Sequence, residues 1–506
     1  MDCSIKPQVP LPSPLLKAAW AETTAAAYFI AWRRREANVV NTQEGPRRSA
    51  QVLRIMMSRP ATKESAVVYF FVAGWNGRFQ NSGMSQPAFP RMLTVGQEFP
   101  ANQKLDFEVV VQAELKRTVP KINKGAKIAV AVGSRGISNL QAIVAATIRW
   151  LKGMGAEPYI IPAMGSHGGA TPEGQTSLLA EYGITEKALE VPIRATMEVE
   201  RIGQSEQGVD VFCSVEALRA DGLVVVNRVK PHTDFKGNLG SGIQKMMVIG
   251  LGKRVGAANF HANASRLGYE QVIRSSARVT AQKTTLLCGL AILENQRHET
   301  ERIVGIAPQE LESRETELYH ESARLMPALP FDDIDLLIVD RIGKNISGSG
   351  MDPNIVGRSI HGYSSALSEQ SRKPIIRRLF VRELTPETHG NGIGIGNADF
   401  TTARLVNSID YEVTAINALT SLSVQSVKIP IHFKTDREVI DRALDSLALK
   451  DRASAKVMRI RDTLSLEKLQ VSESFLKNSP KPSKVSVLSD SQEMKFDHEG
   501  NLLPLG

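Results

Sequence analysis

Lys127-Ile-Ala-Val-Ala-Val132 runs into Gly133-Ser-Arg-Gly136 and then Ser138-Asn-Leu-Gln141. A short run of apolar and β-branched side chains, without polar alternation, reads as a strand buried on both faces. Ser138 and Gln141 have the spacing of a capping box, and Leu140, Ile143, Val144, Ile148 and Leu151 follow at helical spacing until Gly153 and Gly155 stop the helix. Working outward, Tyr159–Pro162 reads as the next strand. Thr171 caps a second helix with Pro172 at its first position and Gly183 at its end, and Gly222–Val229 is a third strand. Strand–helix–strand at this spacing predicts a parallel sheet with helices on both faces.

A second α/β block is expected beyond it. Thr285–Leu293, Arg302–Ile306 and Ile334–Val339 read as strands, and Gln309–Leu325 and Asn407–Ser421 as helices. The tail from Val471 reads as extended. The expected organisation is an extension over residues 1–91 and two α/β domains, 92–280 and 281–506, with largely parallel sheets and an active-site cleft between them. Residues 1–91 lack sustained periodicity and read as a poorly ordered extension, or as sequence upstream of a start at Met92.

Composition narrows the functions. The 506 residues carry 62 Lys+Arg against 53 Asp+Glu, a net charge of +9. Residues 1–91 hold twelve of the basic and five of the acidic groups, a net +7, so the other 415 residues carry only +2. That distribution lacks the clustered basic stripe of a nucleic-acid binder. No apolar run is long enough to cross a membrane. Cys3, Cys213 and Cys288 are too few and too scattered for a disulfide framework or a Cys-rich metal site, which fits a reducing, cytoplasmic compartment.

In an open parallel sheet, ligands bind beyond the carboxyl ends of the strands. The three loops there read Gly133-Ser-Arg-Gly136, Gly165-Ser-His-Gly-Gly-Ala-Thr171 and Lys230-Pro-His-Thr-Asp-Phe-Lys-Gly237. They hold His167 and His232; Lys245 and His261 follow. Taken singly, each has a plain alternative: a turn histidine for His167, the end of a strand for His232 after Pro231, a solvated strand end before Met-Met-Val-Ile for Lys245, and a helix-surface or core histidine for His261. Arg135 can pair a substrate carboxylate through its fork or be a surface arginine. Lys344 can reach the same anion from the second domain. Gly168, Gly169 and the helix capped at Thr171 offer N–H groups to a cofactor phosphate. Gly237-x-x-Gly-x-Gly242 is not the dinucleotide-binding order, and there is no P-loop, Gly-x-Ser-x-Gly or His-Glu-x-x-His motif.

The order His167, His232, Lys245, His261 changes the weighing. Val229-Lys-Pro-His-Thr-Asp-Phe-Lys-Gly237, Ser241-Gly-Ile-Gln-Lys-Met-Met-Val-Ile-Gly250 and Ala258-Asn-Phe-His261 resemble the nickel-pincer lactate racemase family. Ile342-Gly-Lys-Asn-Ile-Ser-Gly348 and Glu387-Thr-His-Gly-Asn391 resemble a divergent branch of it. The resemblance covers roughly residues 92–506. It implies a pyridinium mononucleotide that holds nickel through S, C and S, is joined to Lys245 as a thioamide, and takes His261 as the fourth nickel ligand. It also implies that His167 and His232 are paired acid/base residues on either side of a 2-hydroxy acid, with hydride passing to and from the cofactor. Imidazole suits that role because its ordinary pKa lies near working pH. Three departures separate this chain from the characterised racemases, one being a spacing between His232 and Lys245 that is a few residues longer. The loop after the first strand reads Ser134-Arg-Gly-Ile-Ser138, where they have an Asp-His-Thr-Arg-like sequence, and no tryptophan follows Trp150. The implied activity is a racemase or epimerase of a 2-hydroxy acid, with that acid and cofactor-supplying biosynthetic proteins as partners, and without nucleic acid or membrane. A 2-hydroxy-acid oxidoreductase and a non-catalytic nucleotide- or anion-binding protein on the same fold are the rivals.

Overall fold

The computed structural model describes residues 89–101, 104–133, 136–233, 237–358, 373–477, 482 and 484–505. The expected extension over residues 1–91 lies almost wholly outside them, as does Arg135. All described residues belong to one compact unit, Gly83–Gly506.

The chain enters through β1 (Met92–Gln97) and helix α1 (Phe107–Thr118), then builds β2 (Lys127–Val132), α2 (Leu140–Gly153), β3 (Glu157–Pro162) and α3 (Pro172–Glu181). An antiparallel ribbon of β4 (Val199–Gln204) and β5 (Asp210–Ser214) leads into β6 (Gly222–Arg228). Helices α4 (Lys253–Leu267) and α5 (Tyr269–Lys283) precede β7 (Leu286–Glu294), β8 (Thr300–Ile306) and α6 (Leu311–Leu325). The first sheet has the order β3-β2-β6-β7-β8, parallel except for β8.

The alternation along β2 explains why it is apolar on both sides. Ile128, Val130 and Val132 face a core shared with α1, α2 and Leu179 of α3, while Ala129 and Ala131 face a second core with Ile243, Met247 and α6. A strand covered by helices on both faces carries no polar phase.

The second sheet has eight strands. After β9 (Asp333–Ile342), β10 (Ile375–Leu384), β11 (Phe400–Thr402), β12 (Ile431–Phe433), β13 (Val457–Ile460), β14 (Lys468–Ser472) and β15 (Val485–Val487), the order is β12-β11-β10-β9-β13-β14-β1-β15. The strands from β12 to β13 are parallel, and the remaining pairings are antiparallel. In its core Arg382 is 2.9 Å from Asp340 and 2.6 Å from Asp436, so these buried charges are compensated.

Four expectations change. The strands expected to open a second block, here β7 and β8, complete the first sheet, while β1 crosses into the second; the sheets are not consecutive in sequence. Ser138 makes no capping box. Asn139 is the N-cap of α2, at φ 56° and without a side-chain cap, because Ser138 is held by strand ends: its N–H donates to Glu294 (2.8 Å) and its carbonyl accepts from Thr300 (3.0 Å). The helix expected over Asn407–Ser421 is two, Ala403–Asn407 and Tyr411–Thr420, the second capped by Asp410. The tail is not merely extended, since β14 and β15 are sheet strands. No described helix is long and apolar enough to cross a membrane.

Candidate active site

The carboxyl ends of β2, β3 and β6 lie on one edge of the first sheet, and a helical segment crosses it. This segment, Ile243–Gly250, begins as α-helix and continues from Met246 as one π-helical turn, closed by Leu251 N–H donating to Met246 O (2.8 Å). It carries Lys245, so the expected alternative of a strand end is replaced by a helical turn. Asn227 at the end of β6 donates to Gly242 O (3.0 Å) and anchors its start. Gly133, just past β2, is where that asparagine and Met246 close in: a Cβ there would lie 2.5 Å from Asn227 Oδ1 and 3.2 Å from Met246 Cε. The far end of the segment meets the loop after β3, where Gly165 N–H donates to Gly250 O (3.2 Å).

That loop holds His167, half-buried. Gly165, Gly168 and Gly169 take φ values of 61°, 63° and 64°, which L side chains rarely adopt. Thr171 closes the loop and caps α3: its Oγ1 accepts from Gly174 N–H (3.0 Å) and donates to Gly168 O (3.2 Å). The predicted cap, with Pro172 at the first helical position, is therefore present.

After β6, Lys230 and Ser241 exchange two backbone hydrogen bonds (2.8 and 2.9 Å), pinching off the loop that carries His232. The His232 ring lies 5.3 Å from that of Tyr269, Tyr269 is 5.0 Å from Phe260, and Phe260 is 5.3 Å from His261. One aromatic run thus joins His232 to His261, which is half-buried on α4. Lys245 is also half-buried, with Nζ 3.4 Å from Ser241 Oγ. The structure therefore joins His232 with His261, and the His167 loop with the Lys245 segment. Lys344 stands past β9 in the other sheet, where its Nζ donates to Gly348 O (2.8 Å).

Three buried polar residues escaped the sequence reading. Glu315 of α6 accepts from Gln244 N–H (3.0 Å) and Nε2 (3.1 Å), so its carboxylate holds the first turn of the Lys245 segment. Burial raises its pKa to about 7, against opposing hydrogen bonds from Gln244. Gln175 and Lys253 lie beneath the His167 loop, and burial lowers the Lys253 pKa to about 8. Periodicity cannot mark a lysine after Gly252 as internal. Gln175 does precede the buried Leu179 by four residues, which places it on the inward face of α3.

The raised Glu315 pKa has a measurable consequence. The folded protein keeps this proton where the unfolded chain, near 4.5, has released it. Its contribution to stability is complete below about pH 4.5 and is lost as pH rises through about 7. Glu315→Gln is expected to remove that part of the slope when unfolding midpoints are measured across the window; an unchanged slope would show that Glu315 is ionised throughout.

The two sheets meet beside the site. Asn354 donates to His232 O (3.2 Å), and Lys230 stands 3.7 Å from Asp352. A small cavity at this contact, bordered by Lys230, Glu294, His298, Asp352 and Thr463, measures about 30 Å³, room for roughly one water.

A family model described as the lactate racemase N-terminal domain matches residues 106–270. These residues are similar to that domain. This racemase-type domain contains β2, β3, β6, His167, His232, Lys245 and His261, and ends before Glu315 and Lys344. Among solved structures, the lactate racemase apoprotein from Thermoanaerobacterium thermosaccharolyticum is similar at 13% identity, over 74% of this chain and 99% of that one, with a TM-score of 0.42. No curated protein matches the chain.

The donor set of the racemase-type domain fits a pincer nucleotide. Among the described residues no three His, Cys, Asp or Glu gather to hold a metal ion. A group that brings its own sulfur and carbon donors needs only one imidazole, and a near-planar set of soft donors plus imidazole suits Ni(II). His261 would offer that imidazole, and Lys245 an amine for a covalent link.

Proposed function

We propose that the protein is a racemase or epimerase of a 2-hydroxy acid, working with a nickel-pincer nucleotide attached at Lys245. The observation that carries this is the convergence of the His167 loop and the Lys245 segment on one sheet edge, within a lactate racemase-type domain that also joins His232 to His261. When bound, the nucleotide supplies the two-electron acceptor for C2 of the substrate. His167 and His232 serve the hydroxyl from opposite sides. One imidazole takes its proton as the alcohol becomes a planar keto acid, and either histidine returns a proton when the alcohol re-forms. Arg135 and Lys344 bind the substrate carboxylate, and Gly168, Gly169 and the α3 N-terminus receive the nucleotide phosphate. The substrate enters a cleft between the two sheets, and biosynthetic proteins of the host supply the nucleotide.

The test is a panel of single-enantiomer 2-hydroxy acids deuterated at C2, given to protein made in a host that supplies the cofactor. Loss of optical activity with deuterium retained at C2, and without net keto acid, is the expected result. Stoichiometric keto acid would make the protein an oxidoreductase, and binding without reaction at C2 a non-catalytic protein.

A further inference from the structure

Lys253 opens helix α4 and is almost completely buried, at 1% exposure. A buried ammonium is costly unless hydrogen-bonded. Here its Nζ donates to Pro162 O, at the end of β3 (2.5 Å), and to Gln175 Oε1 (3.0 Å). Its partners are a main-chain and an amide oxygen rather than a carboxylate. Gln175 is itself fully buried, and its Nε2 donates to Gly165 O (3.0 Å) and His167 O (3.3 Å). Lys253 settles which way that amide points. Turning it over would set its NH₂ against the ammonium and its oxygen against two carbonyls.

The segment so held needs holding. Gly165, Gly168, Gly169 and Ala170 all have positive φ, and glycine gives up the most backbone freedom on ordering. Lys253 is also in the left-handed region, at φ 54°, a conformation that surrounding contacts must impose on a residue with a side chain. The same residue begins the helix that carries His261 eight positions later.

We propose that Lys253 and Gln175 form a positioning brace that locks the backbone of the His167 loop to the end of β3 and to the helix bearing His261. Neither residue touches the reacting atoms; they set where the His167 imidazole stands. The catalytic meaning rests on the function proposed above, but the brace itself does not.

The probe is diethyl pyrocarbonate, with modification of His167 followed by peptide mass mapping in the full-length protein and the exposed His432 as internal reference. Lys253→Met removes the ammonium. Gln175→Glu keeps an acceptor for Lys253 while removing both donors to the loop, so it separates the brace from the cost of an unpaired buried lysine. Both variants are expected to raise the His167-to-His432 rate ratio about tenfold, the scale of losing such hydrogen bonds. A purely structural role would lower the melting temperature and leave the ratio of the folded protein unchanged. A ratio within about twofold of the parent in folded Gln175→Glu, or in Lys253→Met should the first not fold, overturns the brace. No turnover is needed, so an inactive protein with the expected ratios counts against the proposed function alone.

Discussion

Replacing either His167 or His232 with alanine is expected to slow interconversion of the enantiomers by roughly 100- to 10,000-fold, the usual contribution of a positioned acid/base group. The asymmetry between the two variants matters more than the size of the loss. Enantiomers have equal free energies, so steady-state kcat/KM must fall equally in both directions in each variant. Single-turnover oxidation of each pure enantiomer has no such constraint. There, His167→Ala is expected to impair one enantiomer and His232→Ala the other, because the histidines stand on different elements: the glycine loop after β3 and the pinched loop after β6. Rapid-quench measurement of keto acid formed per active site reads this directly. Small, equal effects in both variants would remove the two-base assignment.

The second large effect concerns attachment. Lys245→Ala removes the amine, and Lys245→Arg is expected to fail as completely, since a guanidinium is not an interchangeable substitute for an amine. His261→Ala leaves the amine in place but removes the imidazole proposed as the nickel ligand. Among the described residues no three His, Cys, Asp or Glu gather to hold a metal ion in its place. Nickel content is therefore expected to fall to background in His261→Ala while the adduct at Lys245 survives. Neither side chain is fully buried, so all three variants are expected to fold, with a stability cost of about 1 kcal/mol or less. Full nickel in His261→Ala would show that another residue is the ligand.

The parts legible in the sequence were those set by local pattern. Lys127–Val132 is a strand with the expected limits because both faces are covered, and Thr171-Pro172 starts its helix because the hydroxyl reaches the Gly174 N–H. Long-range choices were not legible. Nothing local in Leu286–Glu294 reveals that it pairs with β6 rather than with a later strand. The motif at Ser138 and Gln141 was genuine as spacing, yet Glu294 and Thr300 claimed Ser138 and Gly183 O took the Gln141 amide. Met246-Met-Val-Ile249 shows the limit of periodicity, since four apolar residues read equally as strand or buried helix, and in the fold they form a π-helical turn. The site divides the same way. His167, His232, Lys245 and His261 stand out by motif, whereas Gln175, Lys253 and Glu315 look like ordinary solvated residues until the fold buries them.

Lys245 as the attachment point of a nickel-binding nucleotide is the centre of the account. Intact-protein mass spectrometry with peptide mapping, on full-length protein made in a host that supplies the nucleotide, tests it most directly when paired with metal analysis of the same sample. The expected result is a covalent mass increment confined to the peptide containing Lys245, with nickel bound in proportion to it. An unmodified Lys245 without nickel, under conditions that load a known lactate racemase, would contradict it.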